Sequence, residues 1–191
     1  MTRLSPVLST LDLPFTELSA ARLDGDVYAI DDCFSPVDVV ESALTRARSV
    51  AAVVPTRLIA EQHTAAWIWG ARLTPPAPHQ FCSPAGVRAK SASLRRFVVR
   101  EVTIERDETI EFGALRVTTP LRTATDIARF AARFGRADAD AVRRIMLIGR
   151  FSLDECARAL DRRPNLPLKK RAWQRLLGLY ESTAAVVSPD P

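Results

Sequence analysis

Pro120 divides the chain into two kinds of sequence, and this division constrains the fold more than any other feature. After Pro120 every segment carries helix punctuation. The proline itself suits a first helical position, and apolar spacing through Leu121, Ala124, Ile127, Ala128 and Ala131 extends that helix to near Gly135. A second helix runs from Ala137 to about Ile148 and is closed by Gly149, and Ser152-Leu153-Asp154-Glu155 is a capping box that opens a third. A fourth begins near Leu168, after Pro164 and Pro167, and presents Trp173, Leu176, Leu177 and Tyr180. Before Pro120 the apolar runs are short and broken by turn residues, with strand candidates at residues 79–82, 96–104 and 115–118. Strands segregated from helices predict an α+β fold, a small mixed β-sheet with flanking helices followed by a C-terminal helical bundle over residues 120–180.

Nearer the N-terminus, Asp24-Gly25 reads as the turn of a small hairpin that joins this sheet. Ser35-Pro36-Val37-Asp38 reads as a helix start, giving a helix over residues 36–47 with Val37, Val40 and Leu44 on one face. Residues 51–54 suit a short buried strand or a helix end, and Thr64 to Trp69 a helix stopped by Gly70. Thr74-Pro75-Pro76-Ala77-Pro78 marks an internal linker. The expected divisions are an N-terminal region at 1–74, a strand-rich middle at 75–119, the bundle at 120–182 and a disordered tail at 183–191, joined in one compact unit. The expected core is Val40, Leu44, Trp67, Val98, Val117, Leu121, Ile127, Leu147, Leu153 and Leu176, with Phe97, Val98 and Val99 in a strand buried on both faces.

A chain of 191 residues, 47% hydrophobic, can bury a core without disulfides or metal. No apolar run approaches the length of a membrane span, and the residues before Asp12 do not read as a secretory signal. Cys33, Cys82 and Cys156 are too scattered for a disulfide framework or, with His63 and His79, for a zinc site. They suit a reducing cytoplasm, with no membrane partner. The net charge of +5 is unevenly spread: residues 1–70 carry 5 basic and 9 acidic side chains, and the remaining 22 basic and 13 acidic follow. An acidic head and a basic body suit nucleic acid, an acidic partner, or contact between the two parts. Arginine outnumbers lysine 24 to 3, as in proteins of GC-rich genomes.

Catalytic patterns are hard to assemble. No phosphate-binding glycine loop occurs, and none of Lys90, Lys169 and Lys170 has the carboxylate two residues before it that a restriction-type nuclease requires. Asp24-Gly25-Asp26 and Asp138-Ala139-Asp140 have the spacing of a nucleotidyltransferase metal pair, but no Gly-Ser dipeptide accompanies them. A turn and a helix N-terminus account for both pairs. The sequence therefore reads as non-catalytic, with no cofactor and no metal. Binding features are better represented. Arg143-Arg144, Arg162-Arg163 and Lys169-Lys170-Arg171 place basic pairs near helix ends, where they are candidates for nucleic-acid or partner contact as well as for a solvated face. Trp67 and Trp69, two residues apart, cannot share one helix face; either both pack in the core, as tryptophans usually do, or one of them reaches the surface or a domain seam. Arg122 lies in the first turn of the helix after Pro120, where a cation opposes the helix dipole. Asp126 lies one turn on and can clamp it.

The run Arg116-Val117-Thr118-Thr119-Pro120-Leu121-Arg122-Thr123-Ala124-Thr125-Asp126-Ile127-Ala128-Arg129 resembles the signature of the AbiEi-type antitoxin family of actinobacteria, a strand ending V-T-x-P-L-R-T that enters a helix A-x-D-[LI]-A-R. The likeness extends outward in order, through Gly25-Asp26-Val27-Tyr28 for a G-x-Y hairpin, Thr64 to Gly70 for a T-A-A-W-x-x-G helix, and Phe151-Ser152-Leu153-Asp154-Glu155 for a late helix. It covers about residues 16–180. In the family that hairpin is the wing of an N-terminal winged helix-turn-helix. Only 24 residues precede Gly25 here, so the DNA-reading unit is expected to be truncated, and the repair-type nuclease domain of longer relatives is expected to be missing after Pro191.

The resemblance implies an antitoxin-like cytoplasmic protein that counteracts a cognate nucleotidyltransferase toxin and autoregulates its operon, in a type IV toxin-antitoxin system where the two need not form a stable complex. An alternative is a transcriptional repressor binding operator DNA, weakly, through its basic C-terminal helices. A third is a remnant or subunit of a repair-type nuclease.

Overall fold

The computed structural model describes residues 5–85 and 97–184. In chain order these form α1 (Phe15–Asp24), β1 (Val27–Ile30), β2 (Cys33–Pro36), α2 (Ala43–Ala51), β3 (Ile59–Ala60), α3 (Gln62–Ile68), β4 (His79–Pro84), β5 (Phe97–Val102), β6 (Thr109–Phe112), β7 (Leu115–Thr118), α4 (Pro120–Phe130), α5 (Arg136–Gly149), α6 (Leu153–Asp161) and α7 (Lys169–Ala184). The class is α+β. The expected tail beyond Ala184 and the side chain of Tyr180 lie outside the described residues.

Two N-terminal expectations are corrected. Asp24-Gly25 ends a helix rather than turning a hairpin: Gly25, at φ +83°, closes α1 by donating its N–H to carbonyls of that helix. The hairpin turn is Asp31-Asp32, between Ile30 and its partner Cys33, and Asp31 takes the left-handed conformation that a short polar side chain tolerates. This hairpin stands as its own two-stranded sheet and does not join the larger one. Ser35-Pro36 likewise ends β2, and the helix starts later, at Ser42. There the Ser42 hydroxyl accepts from the Thr45 amide and the Thr45 hydroxyl accepts from the Ser42 amide, satisfying two donors at once. Val37 and Val40 consequently stay outside, Val40 83% exposed, and Leu44 is only partly covered.

The main sheet runs β5-β4-β3-β7-β6, with β4/β5 and β3/β7 parallel and the other pairs antiparallel. Its central strand, β3, has two residues, too few for any periodicity to announce. β6 was also outside the expected strands, although Thr109-Ile110-Glu111-Phe112 alternates and is followed by Gly113 at φ +61°. β5 is an edge strand. Phe97 is buried while Val98 is 45% exposed, which corrects the expectation of burial on both faces.

One core lies between the sheet and α2 and α3, around Val50, Leu58, Trp67, Phe81 and Val117. A second lies among α4 to α7, around Ile127, Val142, Ile145, Cys156 and Leu176. α4 is the hub of the second, touching α3, α5, α6 and α7. Leu147 was expected inside, but Val142, Ile145 and Met146 set the buried face of α5 and leave Leu147 77% exposed. Leu121 and Leu153 are half-buried, whereas Trp67, Val117, Ile127 and Leu176 are buried. Of the two alternatives for the tryptophans, the structure takes the seam. Trp67 is buried, and the half-buried Trp69 packs against both cores, meets Phe112 edge-on at 5.2 Å and donates its indole N–H to the Thr118 carbonyl at 2.9 Å.

Candidate functional site: an arginine-carboxylate junction

The passage from β7 into α4 is fixed by threonines. The Thr119 hydroxyl accepts from the Arg122 amide at 3.3 Å and caps the helix, with Pro120 at its first position, where no N–H is needed. The Thr118 and Thr123 hydroxyls meet at 2.7 Å across the same corner. This corner sets Asp126, with no exposed surface, one turn along α4.

Asp126 is held from two sides of its own helix. Arg122 donates from Nε to one carboxylate oxygen at 2.8 Å, and Arg129 donates from Nη1 to the other at 2.8 Å. A third guanidinium, that of Arg100 on β5, stands 3.8 Å away. Arg100 is itself gripped by the buried Glu61, which precedes α3, through bonds of 2.7 and 2.6 Å. Arg122 reaches on to Glu108 at 2.8 Å, and Arg163, beyond α6, donates to the same Glu108 oxygen at 2.9 Å. The network thus ties the start of α3, β5, the β5–β6 connection, α4 and the α6–α7 loop into one unit. Phe130 holds two of its cations in place, with Arg100 Cζ 3.7 Å and Arg129 Cζ 4.4 Å from the ring centre.

Charge crowding leaves its mark on the titration of these groups. Burial raises the Glu61 carboxyl above its usual range although the Arg100 bonds pull it down. Arg122 is driven up: burial opposes its charge, but Asp126 and Glu108 more than offset that. Arg129 is lowered, by burial first and also by Arg122 and Arg100, against the pull of Asp126. The neighbouring Cys82 thiol is pushed up by burial, with Glu61 and Asp126 adding to the effect, which keeps it a neutral thiol.

The basic residues singled out from the sequence divide into engaged and free groups. Arg143 donates to Asp140 and to the Leu179 carbonyl. Arg163 also donates to the Thr103 carbonyl, and Lys169 pairs with Asp161. Arg171 donates to the carbonyls of Ala131 and Ala132 just past α4, where a cation matches the helix dipole. Arg162 is exposed and makes a 3.3 Å pair with Asp107. Arg144 and Lys170 are exposed. Of these residues, Arg162 and Arg163 adjoin Arg122 of the junction. Sequence reasoning missed Glu61, Arg100, Glu108 and Arg129. Arg129 could have been found, since it stands three residues after Asp126 on one helical face.

A second buried polar chain links Asp31, His79 and Thr64, at 3.0 and 3.2 Å. It has the order of a carboxylate-imidazole-hydroxyl relay, yet Thr64 is wholly buried and its oxygen already accepts the Gln80 amide. Its work is to fasten the hairpin turn to the main sheet. Asp138 accepts from the Gly135 amide and meets His63, and Asp140 pairs with Arg143, so this acidic pair serves the start of α5. Among the described residues no group of three His, Cys, Asp or Glu side chains could hold a metal ion, and no helix is long and apolar enough to cross a membrane.

Comparison with known families supplies the assignment. The AbiEi antitoxin C-terminal domain matches residues 46–182, which contain the main sheet, the junction and α4 to α6 in full. The chain belongs to the AbiEi antitoxin family. The match begins after the hairpin, so Gly25 to Tyr28 lie outside it. No curated protein matches. Among solved structures, the chain is similar to the crystal structure of the RV2827C protein from Mycobacterium tuberculosis. That likeness has 18% identity and a TM-score of 0.49, and covers 93% of this chain and 72% of that one.

Proposed function

We propose that this AbiEi-family protein is a non-catalytic cytoplasmic antitoxin that counteracts a nucleotidyltransferase toxin encoded beside it and contributes to control of its own operon. The observation that carries the reading is the antitoxin-domain match over residues 46–182, more than two thirds of the chain. The junction supports its non-catalytic part: each of the buried charged groups has a charged partner inside it, Glu61 on Arg100 and Asp126 between Arg122 and Arg129, as in a structural staple. Antitoxin action without a stable toxin complex then rests on the surface that this staple holds in shape. The test is genetic. The gene should sit next to a nucleotidyltransferase gene, and its deletion should be lethal or growth-arresting only while that neighbour is intact. Normal growth of the deletion strain, or an operon with no such neighbour, would overturn the proposal.

A further inference from the structure

The junction opens onto solvent through two adjoining hollows, one of about 350 Å³ between the β5–β6 loop, α4 and α6 and one of about 580 Å³ between β5, α4 and the α6–α7 loop, both lined by Arg122, Arg129, Arg162 and Arg163. The larger also has Arg100, and Glu101 is the one carboxylate side chain in its wall. The acidic partners of Arg122, Arg129, Arg162 and Arg163 are the buried Asp126 together with Glu105, Asp107 and Glu108, and these last three line the smaller hollow, which leaves the larger as the basic one. Arg122 and Arg129 are 8% and 5% exposed, so their guanidinium groups are fixed rather than mobile. Each uses two of its three nitrogens: Nε and Nη1 of Arg122 on Asp126 and Glu108, Nε and Nη1 of Arg129 on the Pro167 carbonyl and Asp126. Neither Nη2 has an acceptor among the described residues, and neither belongs to the sealed-off atoms without a partner. Both residues line the larger hollow beside Arg162 and Arg163.

Guanidinium donors on several walls of one hollow, two of them held rigid by burial, suit an anion with several oxygens in a tetrahedral arrangement better than a planar carboxylate. The two hollows are of the size of small-ligand sites. We infer that the larger hollow is a binding site for a terminal phosphate group, free or carried on a nucleotide, recognised by Arg122, Arg129, Arg162 and Arg163. The inference stands apart from the antitoxin reading, because it concerns what the purified chain binds.

Calorimetric titration of the full chain with inorganic phosphate, against sodium chloride at the same ionic strength, tests it. Acetate, adenosine 5′-monophosphate and adenosine form the other arms. Saturable phosphate binding is expected, together with a rise in thermal midpoint that matched chloride does not produce. Tighter binding of the monophosphate than of phosphate, with none of adenosine, would assign a nucleotide; equal binding would assign the free anion. In Arg162→Met/Arg163→Met, which alters the rim, affinity should fall at least about tenfold, the equivalent of one charge-assisted hydrogen bond. Arg162→Met alone, at an exposed side chain that the fold does not need, should weaken binding in the same direction. Phosphate indistinguishable from chloride, acetate binding as tightly as phosphate, or an unchanged affinity in both variants would overturn the assignment.

Discussion

Asp126→Asn should be among the most damaging single-atom changes in this protein. The carboxylate is fully buried and receives 2.8 Å bonds from Arg122 and Arg129, with Arg100 at 3.8 Å. An asparagine keeps the volume and one acceptor oxygen. Its amide nitrogen, however, faces a guanidinium where an oxygen stood, and three clustered cations lose their central anion. Removing one member of a buried ion pair costs about 3–5 kcal/mol, a large share of the roughly 5–15 kcal/mol that holds a domain folded. Arg122→Met should cost less, about 1–3 kcal/mol, because Asp126 keeps Arg129. The double variant should be more stable than the sum of the two losses allows, yet below wild type, since Arg129 then lacks its carboxylate. Urea unfolding followed by far-UV circular dichroism gives these differences, provided the denaturant slope stays constant across the series. A loss under about 1 kcal/mol for Asp126→Asn, or strict additivity in the double variant, would refute the argument that one carboxylate neutralises this cluster.

Gly149→Ala should destabilise by about 1–3 kcal/mol despite alanine's helix preference, because its methyl group would lie 2.7 Å from the Phe151 ring and the Pro120 Cβ; a thermal melt showing a gain would contradict this. His63 is held below its ordinary value of 6.5 by burial and by Arg72, against the opposing pull of Asp138. Its Nδ1 is buried without a partner, so a second ring proton would find no acceptor. The unfolded chain therefore takes that proton first, and stability should drop as pH falls below about 6.5 and level off below the folded value. His63→Gln should flatten that part of the profile, and identical profiles for variant and wild type would exclude His63 as its source. For random duplex DNA, only Arg144, Arg162 and Lys170 of the basic set are exposed. Three phosphate contacts give a log-log salt slope near −3, where six would give roughly −5; a measured slope of −5 or steeper would mean that the engaged arginines are released on binding.

What was legible in the sequence followed from local grammar. Pro120, the Ser152 capping box and the apolar spacing of Ala124, Ile127 and Ala128 write α4 to α6 directly, and the corresponding helices form. The same grammar misled at Asp24-Gly25 and Ser35-Pro36, because a turn pair also ends a helix and a proline also ends a strand. Only packing decides which use is made. β3 left no trace, since two residues flanked by β4 and β7 owe their conformation to partners far along the chain. At the junction, the Arg122 and Asp126 spacing is readable because both stand on one helix. Glu61, Arg100 and Glu108 arrive from other elements, 65, 26 and 18 residues before Asp126, where no periodicity reaches.

Survival under toxin induction tests the functional account most directly. The proposed toxin, a nucleotidyltransferase encoded beside this gene, is induced from one promoter in a heterologous host and this chain from another, and viable colonies are counted. The wild-type chain should restore growth without co-purifying with the toxin, and Asp126→Asn should lose protection in proportion to its loss of folded protein. A toxin that kills equally with and without the folded wild-type chain would contradict it.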